Sequence, residues 1–174
     1  MLPKQVLSIL SHLSDLSTKY IIHYTILLLI TYYLLPVTCF AQTLQPVKWV
    51  FSYNAINDTN GELILKANIG IDWHIYSQLQ SGDGPLPTIF KFELTPDFDL
   101  VDKVVEPAPV TEYSSVFSAD VMSLSNEVIF KQKINRTNKK AFTIMGNIEC
   151  MACNNTQCLP PKQYTINIKV PAAD

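Results

Sequence analysis

The segment Glu149–Tyr164, ECMACNNTQCLPPKQY, places Cys150, Cys153 and Cys158 within nine residues. Pro160-Pro161 follows the third cysteine, and this pair excludes both a helix and a central strand at that point. A disulfide between such near neighbours removes little loop entropy from the unfolded chain, so it adds little stability. The thiolate is the reactive form of cysteine. The segment therefore favours redox use of the cysteines over a role as a structural staple.

Two pairings are open to these thiols: Cys150 with Cys153, as C-x-x-C, or Cys153 with Cys158, as C-x-x-x-x-C. From Ala141 to Cys150 the residues alternate with period two, which places Cys150 on the apolar face of a strand. The Asn-Asn-Thr-Gln that separates Cys153 from Cys158 is typical of a turn. The patterning therefore predicts a Cys153–Cys158 disulfide, with Cys150 buried as a small hydrophobic residue.

Outside the cysteine segment, the chain after residue 42 has the pattern of short strands. Turn sequences such as Asp58-Thr59-Asn60-Gly61 separate them. Two further stretches, Ser81–Pro87 and Pro107–Phe117, have the composition of loops. No run after residue 42 keeps a helical period, and many short strands with turns between them indicate an all-β antiparallel sandwich. The predicted strands are residues 47–53, 62–71, 90–94, 101–105, 128–134, 141–150 and 164–170.

Length and charge exclude several classes of function. The chain has 174 residues and is 48% hydrophobic, which is enough for one compact domain with its own core. Residues 42–174 carry 11 Lys and Arg against 14 Asp and Glu, a net charge of −3, with the basic residues scattered along the chain. Nucleic acid is therefore not an expected partner. No Ser-His-Asp arrangement or phosphate loop supports a hydrolase or a nucleotide-binding protein.

The first 41 residues differ from everything that follows them. Residues 20–37 are almost uncharged, and Cys39-Phe40-Ala41 offers a small residue at a cleavage point before Gln42. The sequence predicts a secretory signal over residues 1–41 and a mature domain over residues 42–174. The alternative is an uncleaved membrane anchor, because about 18 apolar residues nearly span a bilayer. Both readings place the domain outside the cytoplasm, where disulfides persist.

The cysteine segment and the strand after it resemble a known family, the amino-terminal periplasmic domain of the disulfide-interchange reductase DsbD. The resemblance is carried by the paired cysteines, by Cys158-Leu159-Pro160-Pro161 and by the strand Tyr164–Val170. Weaker likenesses lie at Trp73–Gln78, WHIYSQ, and Gly84–Thr88, GPLPT. The resemblance implies an immunoglobulin-like sandwich in the periplasm. Its disulfide would exchange reversibly with thioredoxin-like proteins or a membrane thiol reductase.

The same resemblance implies roles for individual residues. Cys158, close to Pro160, would form the mixed disulfide with the partner, and Cys153 would resolve it. Tyr76 and His74 match positions beside the cysteines, where a phenol or an imidazole tunes the pKa of a thiolate. From the residues alone, the segment that contains Tyr76 and His74 is an ordinary strand.

A cap over the disulfide is a further expectation from the resemblance. In this family a loop covers the disulfide with an aromatic side chain and moves away when a partner docks, and Tyr113 and Phe117 are the candidates. Glu112 is the candidate carboxylate near the cysteines, with Asp120 as the second choice. No cofactor or metal is expected, and a zinc site made of the three cysteines and His74 is the weakest alternative.

A different functional class remains open beside thiol exchange. A non-catalytic β-sandwich with a binding or structural role could use the same disulfide merely to pin its last loop. The spacing of the cysteines and the exported location do not separate these two functions, whereas the family motif favours exchange. Membrane contact is expected only through an uncleaved N-terminal segment.

Overall fold

The computed structural model describes residues 20–32, 44–80, 82 and 84–173. The chain divides into two units, Met1–Thr43 and Leu44–Asp174. In the first unit, residues 20–32 form an α-helix. Among the described residues, no helix combines the length and the apolar character needed to cross a membrane. The predicted cleavage point before Gln42 lies outside the described residues.

The second unit consists of β-strands, and over its described residues there are eleven. They pair antiparallel and form the immunoglobulin-like β-sandwich, so the predicted fold class is confirmed. In chain order the strands are β1 (Val47–Ala55), β2 (Asn60–Ile69), β3 (His74–Tyr76), β4 (Ile89–Phe92), β5 (Phe98–Val105), β6 (Val110–Ser114), β7 (Ala119–Ser125), β8 (Glu127–Arg136), β9 (Phe142–Cys150), β10 (Ala152–Cys153) and β11 (Lys162–Val170).

The strands form three sheets, which we name by their role. The large sheet has the order β1-β2-β8-β5, and the hairpin sheet has the order β11-β9-β4. The site sheet has the order β10-β3-β7-β6. Buried side chains from all three sheets meet in one hydrophobic core. The site sheet is therefore held in place by the same core that stabilises the sandwich.

Burial alternates along the whole of β2 and β8, the two central strands of the large sheet, so one face of each strand lies against the core. Leu65 on β2 pairs with Phe130 on β8, and both are fully buried. Removing one such side chain from water contributes about 1.5–3 kcal/mol. The sequence predicted that this strand would continue to residue 71. That prediction is wrong at the end of β2, because Ile71 is 87% exposed. The strand stops at Ile69, and Asp72 turns the chain with a φ of 65°.

The predicted loop Pro107–Phe117 is wrong in its middle part. Residues 110–114 form strand β6, which pairs with β7, a strand that the sequence pattern did not reveal. Strand β6 is the edge of the site sheet and most of its side chains are exposed, so it lacks the apolar alternation that marks a half-buried strand. A turn over residues 115–118 joins the two strands, and Ser118 adopts a φ of 52° there.

The two faces of the site sheet have different surroundings. Ile75, Leu124 and Ala152 point into the main core. The opposite face carries a second, smaller apolar cluster of Tyr76, Val121 and Cys153, with Phe117 and Met151 packed against it. Alternation along β3 thus separates Ile75 from its two neighbours, as the sequence predicted. The site lies on the face away from the main core.

Candidate functional site

Strand β10 brings one cysteine onto the site face. It has only two residues, and it pairs with β3 so that Ala152 lies opposite Ile75 and Cys153 lies opposite His74. Because neighbouring residues of a strand point to opposite faces, Ala152 enters the core while Cys153 faces the second cluster. Cys153 is only 1% exposed.

The loop after Cys153 closes by its own hydrogen bonds. The side-chain oxygen Oδ1 of Asn154 accepts hydrogen bonds from the backbone N–H groups of Thr156 and Gln157, each at 2.9 Å. The Asn154 N–H donates to the Gln157 carbonyl, and the Leu159 N–H donates to the Ala152 carbonyl, both at 2.9 Å. This asparagine-centred turn is the conformation that the Asn-Asn-Thr-Gln sequence favours. It places residue 158 directly opposite residue 153.

A disulfide joins Cys153 to Cys158, with their Cα atoms 4.1 Å apart. Among the described cysteines Cys150 is the free one and it is buried, so the structure has the pairing that the patterning predicted. The two bonded cysteines differ in access, since Cys153 is buried and Cys158 is exposed. Pro160, also exposed, follows within two residues and leads the chain towards β11. A reagent or partner from solvent therefore meets Cys158 first.

A pocket of about 270 Å³ lies beside the disulfide. Its walls come from β3, from the β6–β7 hairpin and from the cysteine loop. It brings together the sequence-predicted site residues except Pro160 and the second-choice carboxylate Asp120, which do not line it. The lining residues are His74, Tyr76, Glu112, Tyr113, Ser114, Ser115, Val116, Phe117, Val121, Cys153, Asn154, Asn155 and Cys158.

Two aromatic residues of β3 face this pocket as a hydrogen-bonded pair. His74 Nε2 lies 3.2 Å from Tyr76 Oη, and the two rings meet edge to face. Burial lowers the pKa of His74, and the negative charge of Glu112 opposes that shift. Burial, with a smaller contribution from Glu112, raises the pKa of Tyr76 to about 12. At neutral pH the tyrosine is therefore a phenol and the histidine is mainly uncharged.

Glu112 is the carboxylate of the pocket. It projects from edge strand β6, and the hydroxyl of Ser123 donates a hydrogen bond to its Oε1 at 3.4 Å. Asp120, the second candidate, lies opposite Tyr113 in the β6–β7 register and is not among the residues that line the pocket. The first choice of carboxylate is thus the one that the fold places near the disulfide.

The two candidate cap residues have different environments. Phe117, in the β6–β7 turn, is half-buried and packs edge to face on Tyr76, with ring centroids 6.0 Å apart. Tyr113 lines the pocket but is 68% exposed. Phe117 also packs against the cluster that contains Cys153. Of the two side chains, Phe117 is the one in a position to cover the disulfide.

The free thiol of Cys150 lies in the main core rather than in the second cluster. Burial raises the pKa of Cys150 to about 11, although the nearby positive charge of Lys162 opposes the shift. Cys150 belongs to β9 and pairs with Lys162 of β11, which places it in the hairpin sheet. At neutral pH it is a protonated thiol with little access to solvent.

We expect Cys150→Ala to leave disulfide exchange unchanged and to lower the free energy of unfolding by about 1–2 kcal/mol, because a small buried side chain is truncated. Alkylation of the reduced protein followed by mass spectrometry should show Cys158, the exposed thiol, labelled well before Cys150. A folded Cys150→Ala protein that no longer exchanges would show that the third cysteine takes part in the mechanism.

Sequence reasoning missed part of the pocket wall. Val121 of β7 is buried beneath it, and Asn154 and Asn155 form its rim in the cysteine loop. The period-two alternation of Val121 with Ser123 was the available signal, but the pattern is short and contains serines. Within the described part of the chain, no group of three or more His, Cys, Asp or Glu side chains has an arrangement that could hold a metal ion.

Comparison with solved structures gives two neighbours of interest. The chain is similar to the N-terminal periplasmic domain of ScsB from Proteus mirabilis, with a TM-score of 0.51 and 15% identity over 72% of this chain and 47% of that one. It thus spans about half the length of that protein. It is also similar to the reduced DsbD N-terminal domain of Neisseria meningitidis, with a TM-score of 0.47 and 10% identity over 71% of this chain and 86% of that one. No curated protein sequence matches the chain.

A match to a family model identifies the family of this chain, which the two structural similarities do not. The family described as "Thiol:disulfide interchange protein DsbD, N-terminal" matches residues 41–169, which is well over half of the chain. The matched range includes the disulfide, the pocket and every strand of the sandwich apart from the last residue of β11, Val170. The chain therefore belongs to the family of DsbD N-terminal domains.

Proposed function

We propose that this protein is an exported thiol–disulfide interchange module that carries electrons by alternating between the Cys153–Cys158 disulfide and a dithiol. The observation that carries the proposal is the position of the disulfide. It lies at a pocket of titratable and aromatic side chains, with one cysteine buried and the other exposed. A disulfide that serves only as a staple needs neither the pocket nor the exposed sulfur. Membership of the DsbD N-terminal family supports the same function.

The proposed roles of the two cysteines follow from their different access to solvent. In the reduced protein, the thiolate of Cys158 attacks a sulfur of the partner's disulfide and forms a mixed disulfide. Cys153 then attacks Cys158 Sγ, which restores the internal disulfide and releases the partner as a dithiol. Two electrons pass to the partner. The reverse sequence, in which a partner dithiol attacks Cys158 first, reduces this protein.

The proposed partners are proteins that present a dithiol or disulfide of their own. Thioredoxin-like proteins outside the cytoplasm and a membrane thiol reductase fit this requirement. We propose that residues 1–41 act as a signal peptide or an anchor and that residues 42–174 function in the periplasm. The long apolar run in the first segment and a disulfide in the second support this division.

The remaining pocket residues are proposed to support the exchange. Tyr76 and Glu112 line the same pocket as Cys153 and are proposed to set the electrostatic environment of a Cys153 thiolate. Phe117 is proposed to cap the pocket by its contact with Tyr76 and to move when a partner binds. Tyr113 and Pro160 are exposed beside the site, where they are proposed to contact that partner.

The reduction potential of the disulfide separates this function from a passive structural role. We expect a value between about −180 and −270 mV, the range of thioredoxin-like carriers, whereas a structural disulfide lies below about −300 mV. The protein is equilibrated with glutathione and dithiothreitol redox buffers, and the reduced fraction is measured by alkylation and mass spectrometry. Cys150→Ala is the matched control and should have the wild-type potential. A value below about −300 mV would support the non-catalytic sandwich instead.

A further inference from the structure

The buried cysteine of the disulfide presents an electrostatic problem in the proposed reaction. Cys153 is only 1% exposed, and it must become a thiolate to attack the mixed disulfide. A buried sulfur that loses its proton gains a charge that water does not solvate, so burial opposes the step. The exposed Cys158 has no such difficulty. The site therefore needs a group that takes up the proton of Cys153 and balances its charge.

His74 is the residue that the sheet places next to Cys153. The two are direct partners in the β3–β10 register. Directly opposite residues of an antiparallel pair have Cβ atoms about 4.5–5.5 Å apart and side chains on the same face. Both residues line the same pocket. The imidazole is therefore within reach of the cysteine sulfur when the disulfide opens.

The titratable groups around His74 are compatible with a role for His74 itself as the proton acceptor. They are Tyr76 on β3, Glu112 and Tyr113 on β6, and the cysteines of the loop, and no lysine or arginine is among the residues that line the pocket. Tyr76, as a phenol with a pKa of about 12, does not accept a proton at neutral pH but hydrogen-bonds the imidazole. Glu112 favours the imidazolium by its negative charge. Because burial lowers the pKa of His74, its imidazole is uncharged before the transfer and has a nitrogen that can accept the proton.

We propose that His74 is the proton acceptor for Cys153, so that the resolving cysteine attacks as a thiolate paired with an imidazolium. In the mixed disulfide, the proton moves from Cys153 Sγ to the His74 ring. Cys153 Sγ then forms a bond to Cys158 Sγ, and the bond from Cys158 to the partner sulfur breaks. The partner sulfur leaves with the electron pair and takes up a proton from the imidazolium. This inference rests on the proposed roles of the two cysteines.

Two variants test the proposal together. His74→Gln introduces a side-chain amide, which keeps the ability to hydrogen-bond Tyr76 but does not titrate between pH 5 and 9. His74→Phe keeps an aromatic ring but can neither hydrogen-bond Tyr76 through a ring nitrogen nor titrate. The reduced protein is mixed with Ellman's reagent, an aromatic disulfide, in a stopped-flow instrument. Cys158 releases the first dye thiolate at a rate that depends on the reagent concentration. Cys153 releases the second at a rate that does not, and that rate reports its ionisation.

We expect both variants to keep the first rate and to shift the pH midpoint of the second rate upward by about one unit or more, which makes the second phase at least about tenfold slower at pH values well below the wild-type midpoint. Cys150 is buried and does not add to the dye released in these phases. Circular dichroism checks the fold of each variant. His74→Gln decides the outcome alone if His74→Phe fails to fold.

Three results would count against the proposal in distinguishable ways. An unchanged pH profile of the second phase in both variants would remove His74 from proton transfer while leaving the exchange function intact. Recovery of the wild-type rate by glutamine but not by phenylalanine would assign His74 the positioning of Tyr76 instead. A wild-type protein without a concentration-independent second phase would defeat the proposed roles of the cysteines themselves.

Discussion

Replacing Cys153 with alanine should trap a covalent complex between this protein and a thioredoxin-like partner, whereas replacing Cys158 should trap almost none. Cys158 is exposed at the end of the loop, and Cys153 is buried under the pocket. The exposed thiol makes the mixed disulfide, and without Cys153 this protein has no second thiol in place to resolve it. The partner must also lack its own resolving thiol, because an opened partner disulfide would otherwise close again and release Cys158. The complex is therefore detected on a non-reducing gel after mixing each reduced variant with a thioredoxin-like protein that retains only its exposed active-site cysteine, activated as a mixed disulfide with the dye thiolate of Ellman's reagent.

Two controls make the trapping result specific. The double variant Cys153→Ala, Cys158→Ala retains Cys150 as its thiol within residues 44–173, and it should form no complex because that thiol is buried. Adding dithiothreitol should reduce the mixed disulfide of the Cys153→Ala variant and separate the two proteins. Trapping by Cys158→Ala but not by Cys153→Ala would reverse the assigned roles. Absence of a complex from both single variants would favour the passive disulfide.

Replacing Phe117 with alanine should accelerate reduction of the disulfide by dithiothreitol between about twofold and tenfold, because an edge-to-face aromatic contact is worth about 0.5–1.5 kcal/mol. That contact joins Phe117 to Tyr76 and holds the β6–β7 turn against the site face. Losing it increases the fraction of molecules in which the pocket is open. The rate is measured by quenching with acid at intervals and counting free thiols by mass spectrometry.

Neighbouring residues of the same hairpin provide matched controls for the cap. Val116, 65% exposed in the same turn, and Tyr113, 68% exposed on β6, do not belong to the second cluster. Val116→Ala and Tyr113→Ala should therefore leave the rate of reduction unchanged. An equal acceleration in all three variants would indicate general loosening of the hairpin, and no acceleration in Phe117→Ala would remove its role as a cap.

The strands with a strong pattern were predictable from the sequence. Strands β2 and β8 alternate over their whole length because one face of each meets the core, and the register of β9 correctly separated Cys150 from the turn. The β6–β7 hairpin was not predictable in the same way. Strand β6 is an exposed edge strand, and it forms because its backbone pairs with β7 rather than because its side chains are buried. Backbone pairing alone does not produce an alternation of apolar and polar residues in the sequence.

The site was predictable only as a set of residues. The motif around Cys158 pointed to Tyr76, His74 and Glu112, and the fold brings these residues to one pocket. The alignment of His74 with Cys153 depends on a strand of two residues, β10, that is too short to show a pattern. Likewise, the preference for Phe117 over Tyr113 depends on the direction in which the hairpin turns. Such facts come from tertiary packing, which the local sequence does not encode.

The asparagine-centred turn between the cysteines has a consequence for the energetics of electron transfer. Its hydrogen bonds, from the N–H groups of Thr156 and Gln157 to Asn154 Oδ1 and from the Leu159 N–H to the Ala152 carbonyl, do not involve sulfur. They can therefore persist after the disulfide is reduced. The turn then keeps the two thiols at a high effective concentration relative to each other, which favours intramolecular resolution over attack by a second partner molecule. A mixed disulfide formed on this loop should be short-lived for that reason, and electrons should leave the protein in pairs.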